Sequence, residues 1–403
     1  MTFKRLLGAL LAALILFSPT AYAVEGNYDP AGSLEVDPVP ETTAQAVLLM
    51  DSATGTVLWE DNADAPLEPA SVTKIMTMLL VCEAIDDGQL KAEQTVTASA
   101  HAAGMGGSQV YLEEGEQMTV TELLKAVAVA SGNDAAVALG EAVAGSESAF
   151  VALMNQRAEE LGMTQTCFRN CTGLPAEGHV TSARDIAIMS RALLGHDFIR
   201  QFTSIWMDSL RDGAFGLSST NKLIRSYDGC TGLKTGFTST AGYCISASAR
   251  RGELELVAVV LGAKDSKDRF NTAAALLDWG FANFKTVTVA PDQCPDTLPV
   301  TLGAQSEVTL AKPEATVLIH IRDEDSLVTH LELPEEVAAP VEPGQQLGCF
   351  TVEIGGRTAC ILPVCAAQGV EKLTFAGVFL DYLKFLFCPG TGTSSHFDRG
   401  VLQ

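Results

Sequence analysis

Two strand hairpins enclosing a long helical stretch, followed by short β-like runs broken by Pro and Gly, predict an α/β chain of the α+β kind. The expected architecture is an antiparallel sheet flanked by helices, then a small all-β domain. The chain has 403 residues, 47% hydrophobic and 19% charged, enough at about 150 residues per domain for two or three domains with real cores. A disordered or fibrous chain is excluded.

Residues 1–23 read as a signal peptide. Lys4 and Arg5 form a charged start, Leu6 to Phe17 is apolar, and Ala21-Tyr22-Ala23 offers a small-residue cleavage site. The apolar stretch is short for a membrane span. Residues 24–43 are rich in Pro, Gly and acids without an apolar period, and read as a flexible leader.

The first domain is expected over residues 44–285. Ala46 to Asp51 and Thr56 to Glu60 flank Ser52-Ala53-Thr54-Gly55 as a hairpin. Helices follow over about Ser71 to Leu194, with Thr119-x-x-Glu122 as a capping box and Gly162 and Gly195 as helix stops. Tyr243 to Ala249 and Leu254 to Leu261, joined by Arg250-Arg251-Gly252, form the second hairpin, and Asp268 to Phe284 is amphipathic. With hairpins at both ends, the two ends of the segment share one antiparallel sheet.

Residues 286–372 change texture to short runs such as Ala315 to Ile321, Leu327 to Leu333 and Gly348 to Ile354, which suits a small all-β domain. Within residues 373–388, Val378 to Phe387 has Asp381 and Lys384 as its only charges. It is too short to span a bilayer and suits an amphipathic anchor on a membrane surface, with a packed final helix or strand as the alternative. Residues 389–403 are a tail.

Lys+Arg 26 against Asp+Glu 49 gives a net charge of −23, and −25 once Lys4 and Arg5 leave with the signal peptide. Such a field opposes binding to phosphates, so nucleic acid is not an expected partner. No Walker loop or GxGxxG segment is present and no cofactor is called for. The ten cysteines lack zinc-finger spacing, Cys167 with Cys171 and Cys360 with Cys365 being the close pairs, and read as scattered buried thiols.

Chemistry concentrates in three short motifs. Ser71-Val72-Thr73-Lys74 opens the apolar run Ile75 to Val81, which places the Lys74 amine one helical turn from the Ser71 hydroxyl. A serine attacks only when a base removes its proton, and a lysine does so only when neutral. Bringing its pKa from about 10.4 to near 7 takes about 4 kcal/mol, which burial and a second cation supply. Ser-x-x-Lys alone is weak, since Ser219-Thr220-Asn221-Lys222 also matches; it lacks a helical period and reads as a loop or strand edge. Ser131-Gly132-Asn133 separates two helical runs, and Lys234-Thr235-Gly236 lies in an extended segment before the second hairpin, where it can line a cleft opposite Ser71.

These motifs in this order, within Pro69-Ala70-Ser71-Val72-Thr73-Lys74-Ile75-Met76-Thr77, Ala130-Ser131-Gly132-Asn133-Asp134-Ala135-Ala136, Thr181-Ser182-Ala183-Arg184-Asp185 and Gly232-Leu233-Lys234-Thr235-Gly236, resemble the low-molecular-weight penicillin-binding proteins that are serine-type D-alanyl-D-alanine carboxypeptidases. The likeness covers nearly the whole mature chain. It implies the penicillin-recognising serine transpeptidase/β-lactamase-like fold, location outside the cytoplasmic membrane, and two ligand classes: peptidoglycan stem peptides ending in D-Ala-D-Ala, and β-lactam antibiotics.

Residue by residue, the resemblance implies that Ser71 is acylated with Lys74 as base, that Ser131 relays a proton to the leaving amine, and that Asn133 holds the substrate amide. It implies that Lys234, Thr235 and Arg269 receive the terminal carboxylate, and that the main-chain N–H groups of Ser71 and Phe237, flanking Gly236, form the oxyanion hole. Phe237 departs from the histidine of some members. The competing reading of Arg269 is a surface ion pair with Asp265 or Asp268.

Rival functions are weaker. No Gly-x-Ser-x-Gly elbow or His-Glu-x-x-His is present, and His179, before a helix start, reads as a loop residue. A β-lactamase shares the motifs, but no Glu-x-x-Leu-Asn segment stands between Ser131 and Lys234. A non-catalytic penicillin-sensing or peptidoglycan-binding module is disfavoured because Ser71, Lys74 and Lys234 are all kept.

Overall fold

The computed structural model describes residues 24–32, 42–375 and 379. The signal peptide, most of the C-terminal amphipathic segment and the tail lie outside them. The described residues divide into two compact units, one of Pro30–Thr286 with Leu318–Arg322, the other of Val287–Val317, the chain from Asp323 onward, and residues 24–29.

In the first unit, β1 (Ala46–Asp51), β2 (Val57–Asp61), β3 (Cys230–Thr238), β4 (Gly242–Arg251) and β5 (Leu254–Ala263) form one sheet in the order β2-β1-β5-β4-β3. All its pairings are antiparallel. β1 lies against β5, with Leu48 opposite Val259, so both ends of the segment do share a sheet.

The near-continuous apolar runs of β1 and β5 follow from burial on both faces. Leu48, Met50, Val257 and Val259 point into the core shared with the helices, while Val47, Leu49, Leu256 and Ala258 pack under the last helix beside Ala273, Leu276 and Trp279. The longer helices are α1 (Lys74–Asp86), α2 (Val120–Ala130), α3 (Asn133–Ala144), α4 (Glu147–Glu160), α5 (Ala183–Leu194) and α6 (Ser266–Asn283).

Local signals set several ends. The Thr119–Glu122 capping box starts α2, with the Thr119 side chain accepting from the Glu122 N–H. Gly162, at φ +75°, follows the C-cap Leu161 of α4. Asp265 caps α6, which begins at Ser266, two residues before the amphipathic pattern alone.

The second unit is a β-sheet built mainly from β6 (Thr297–Thr301), β7 (Glu307–Ala311), β8 (Leu327–Glu332), β9 (Gln346–Ile354) and β10 (Arg357–Ala366), in the order β8-β9-β10-β7-β6. The leader departs from expectation. Val24 and Glu25 form a strand antiparallel to β10, opposite Ile361 and Cys360, and Gly26 and Tyr28 continue the bonding to Ala359 and Thr358. An exposed strand edge recruits any extended backbone, which requires no apolar period and so left no sign in the sequence. The cysteines of the described residues are free thiols.

Candidate active site

The site grows from the start of α1. Ala70–Thr73 form a tight 3-10 turn that continues into α1 at Lys74, and α1 runs buried through the helical core. Three residues of this turn bring the Lys74 amine back over Ser71, so that Nζ donates to Ser71 Oγ at 3.0 Å and to the Thr172 carbonyl at 2.6 Å. Lys74 is fully buried. Burial lowers its pKa to about 7 against the opposing pull of Cys171 and Asp134, leaving an amine that is substantially neutral near neutral pH.

The Ser71 turn is strained. Ala70 adopts φ +49°, a left-handed conformation that costs a residue with a Cβ roughly 1 kcal/mol. β3 passes close to it. A Cβ on Gly236 would stand 2.8 Å from the Pro69 carbonyl oxygen and 2.9 Å from the Ser71 nitrogen, so glycine is required where the Lys234-Thr235-Gly236 strand meets the nucleophile's main chain.

Ser131 ends α2 in the left-handed region, at φ 63°, and Asn133 is already the first residue of α3. The break is therefore a sharp corner, and both side chains are buried. The Asn133 amide donates to the Gly106 carbonyl at 2.7 Å and its main-chain N–H to Ser108. Its Oδ1 is buried without a hydrogen-bond partner, an acceptor ready for a ligand N–H. Asp134 fixes the covering segment by accepting from the N–H groups of Val110 and Leu112.

The decoy segment proves to be part of this architecture. Ser219–Lys222 is a loop, as the sequence indicates, and Lys222 is exposed. Yet the Thr220 N–H donates to Val129 O beside the Ser131 corner, while the Thr235 hydroxyl donates to Thr220 Oγ1 at 2.7 Å. Asn221 adds a bond from its amide to the Gly232 carbonyl. The loop thus ties the end of α2 to β3. Sequence reasoning missed Thr220 and the Thr172 carbonyl; proximity of the loop to β3 along the chain was the one available signal.

Lys234 is buried with Nζ donating to the Thr235 carbonyl at 2.9 Å. Burial, then the positive neighbours Lys74 and Arg269, hold it well below the ordinary lysine range. Lys74 and Arg269 are thus close enough to act on the buried Lys234 amine, and an anion bound beside them would relieve that repulsion. Phe237 is 54% exposed, and its ring packs on Tyr243 at a centroid distance of 4.3 Å.

Arg269 forms no ion pair with Asp265 or Asp268. It is buried, and its Nη1 donates to the carbonyls of Gly236 at 2.9 Å and Cys244 at 3.1 Å, with Nη2 only 3.4 Å from Ser266 Oγ. Its guanidinium lies over the rings of Tyr243 and Phe270, and burial lowers its pKa to about 10. The guanidinium therefore bridges β3 and β4 through one main-chain carbonyl of each, contacts that spacing alone does not show.

A half-buried serine held against a buried lysine, a serine–asparagine corner and a lysine-bearing edge strand that passes the serine's main chain and is tied to that corner through Thr220 are the parts of a serine acyltransferase of the penicillin-recognising class. Comparison with known proteins agrees. Residues 34–265 match the family model of the S11 peptidases, described as D-alanyl-D-alanine carboxypeptidase, and residues 284–372 match that of the penicillin-binding protein 5 C-terminal domain. The D-alanyl-D-alanine carboxypeptidase DacF of Bacillus subtilis is 40% identical over 94% of this chain and 97% of its own.

The crystal structure of penicillin-binding protein 5 from Haemophilus influenzae superposes with a TM-score of 0.71 at 30% identity, covering 84% of this chain and 100% of that one. Penicillin-binding protein D2 of Listeria monocytogenes in its cefotaxime-bound form matches at TM-score 0.56 and 33% identity, over 61% of this chain and 100% of that one. The chain belongs to the D-alanyl-D-alanine carboxypeptidase family of low-molecular-weight penicillin-binding proteins.

Proposed function

We propose that this protein removes the terminal D-alanine from peptidoglycan stem peptides through an acyl-enzyme on Ser71, and that β-lactams acylate the same hydroxyl. The observation that carries the reading is the 3.0 Å contact between Ser71 Oγ and a buried lysine amine with a pKa of about 7. Neutral Lys74 takes the Ser71 proton as Oγ attacks the penultimate D-alanine carbonyl. The main-chain N–H groups of Ser71 and Phe237 receive the developing oxyanion, a role supported by the close approach of Gly236 to the Ser71 main chain.

As the C–N bond breaks, Ser131 relays the proton that Lys74 took from Ser71 to the leaving D-alanine amine, which restores the neutral Lys74 amine. Water then hydrolyses the ester and regenerates the hydroxyl. Asn133 Oδ1 accepts the substrate amide N–H. Lys234, Thr235 and Arg269 favour the free carboxylate of the terminal D-alanine, Lys234 and Thr235 from β3 and Arg269 by its field and by holding Gly236.

The substrate lies outside the cytoplasm, which accords with the signal-like N-terminus. A peripheral membrane attachment is supported by Phe375 and Phe379, one helical turn apart, exposed and stacked on one another.

The test is D-alanine release from a peptide ending in D-Ala-D-Ala, compared with penicillin turnover. Release that disappears in Ser71→Ala supports the reading. A Ser71 adduct without D-alanine release would make the protein a sensor, and rapid penicillin hydrolysis without peptide turnover would make it a β-lactamase.

A further inference from the structure

The turn that carries Ser71 is held by a hydrogen-bond chain with no part in the acylation scheme above. The Ala70 carbonyl, in the left-handed residue just before the nucleophile, accepts from the Thr73 hydroxyl at 2.8 Å. That hydroxyl lies 2.8 Å from His179 Nε2, and on the far side of the ring the Arg169 main-chain N–H donates to His179 Nδ1 at 3.0 Å.

The directions are fixed by elimination. A backbone N–H only donates, so Nδ1 carries a lone pair and the neutral imidazole keeps its proton on Nε2. Nε2–H then donates to Thr73 Oγ1, which directs its own hydrogen to Ala70. Gly173 closes the other side of that carbonyl: a Cβ there would lie 1.8 Å from Ala70 O. His179 is buried, and the edge-on ring of Phe168 at 5.9 Å sets its plane.

We infer that His179 is a positioning residue for acylation: its Nε2–H, acting through Thr73, holds the Ala70 turn that aims the Ser71 hydroxyl and N–H at the substrate carbonyl. The inference rests on Ser71 being the nucleophile. Burial lowers the His179 pKa to about 4, with Arg169 lowering it further and Glu68 opposing, which keeps the ring in the required neutral form at the working pH. A strained residue persists only when its surroundings over-determine it, and here a hydroxyl, an imidazole and a glycine do so.

Amide side chains divide the two ends of the imidazole. Gln places an N–H donor near the Nε2 position, whereas Asn places an acceptor near Nδ1 and leaves Thr73 without its donor. With the full chain and a fluorescent penicillin as probe, His179→Asn lowers the acylation rate constant about 10- to 100-fold, while the preceding non-covalent dissociation constant changes by less than about threefold. His179→Gln restores the rate to within about threefold of the parent. Thr73→Val loses as much as His179→Asn, and the double variant loses no more than Thr73→Val alone.

Parent-like acylation of His179→Asn overturns the inference, as does a Gln variant that falls as far as Asn, or losses that multiply in the double variant. If His179→Asn does not fold, Thr73→Ser against Thr73→Val decides: a retained rate in Ser and a lost one in Val supports the chain, and equal rates refute it. Failure of the parent itself to be acylated, or undiminished acylation of Ser71→Ala, would instead refute the assignment of the nucleophile.

Discussion

Lowering the pH removes the proposed base without changing a residue, and the size of the effect follows from burial. Lys74, with a pKa lowered to about 7, accepts the Ser71 proton only as the free amine. The neutral fraction is about 1% at about pH 5 and about 90% at about pH 8, so acylation rises about 90-fold across that interval and then levels off. An unburied lysine near 10.4 would give about a 1000-fold rise over the same interval and no break. Because the folded pKa is depressed, activity is gained as pH rises through about 7 and lost below it. Stopped-flow acylation by a chromogenic penicillin, with folding checked by circular dichroism at each pH, measures this. A rate independent of pH over that range refutes Lys74 as the base, and one climbing tenfold per unit to about pH 10 refutes a base whose pKa burial has lowered.

Other outcomes follow from the same geometry. Gly236→Ala sets a methyl against the Pro69 carbonyl and the Ser71 nitrogen, pushing β3 away, and should cut acylation at least about 100-fold and lower the melting temperature; a fluorescent-penicillin gel alongside calorimetry checks both, and parent-like acylation would refute the close approach. Lys222→Ala removes an exposed amine of the decoy motif and should leave acylation within about tenfold of the parent; a loss matching that of Lys74→Ala, in the same assay, would put the site elsewhere. Deleting the residues after Thr374 spares the Leu373 N–H bond to Leu302 and removes Phe375 and Phe379; such a chain should float free of vesicles in a flotation assay while keeping peptidase activity in solution, and unchanged flotation would remove the anchor.

Where chemistry depends on short-range spacing, the sequence was legible. Ser71 and Lys74 meet because one helical turn brings them together, and Thr119–Glu122 starts α2 by a purely local reciprocal cap. The shared sheet was equally readable, since hairpins at both ends of the helical stretch pointed to it, and β1 and β5 lie in it buried on both faces. Hydrogen bonds between distant residues carry no such period. His179 read as a loop residue, and it does lie in a loop, but its buried ring reaches Thr73 across 106 positions. Arg269 was singled out only through the family resemblance; that it grips Gly236 and Cys244 by their carbonyls depends on how α6 lies on the sheet. Thr220 sat inside a motif set aside as a decoy, and its importance comes from packing against Thr235, not from the motif.

Locating the covalent bond tests the account most directly. After incubation with a penicillin, peptide mapping by mass spectrometry should find the added mass on the peptide containing Ser71, in near-stoichiometric amount, and on no other serine. Label on Ser131 or Ser219, or an unlabelled protein that still releases D-alanine, would contradict it.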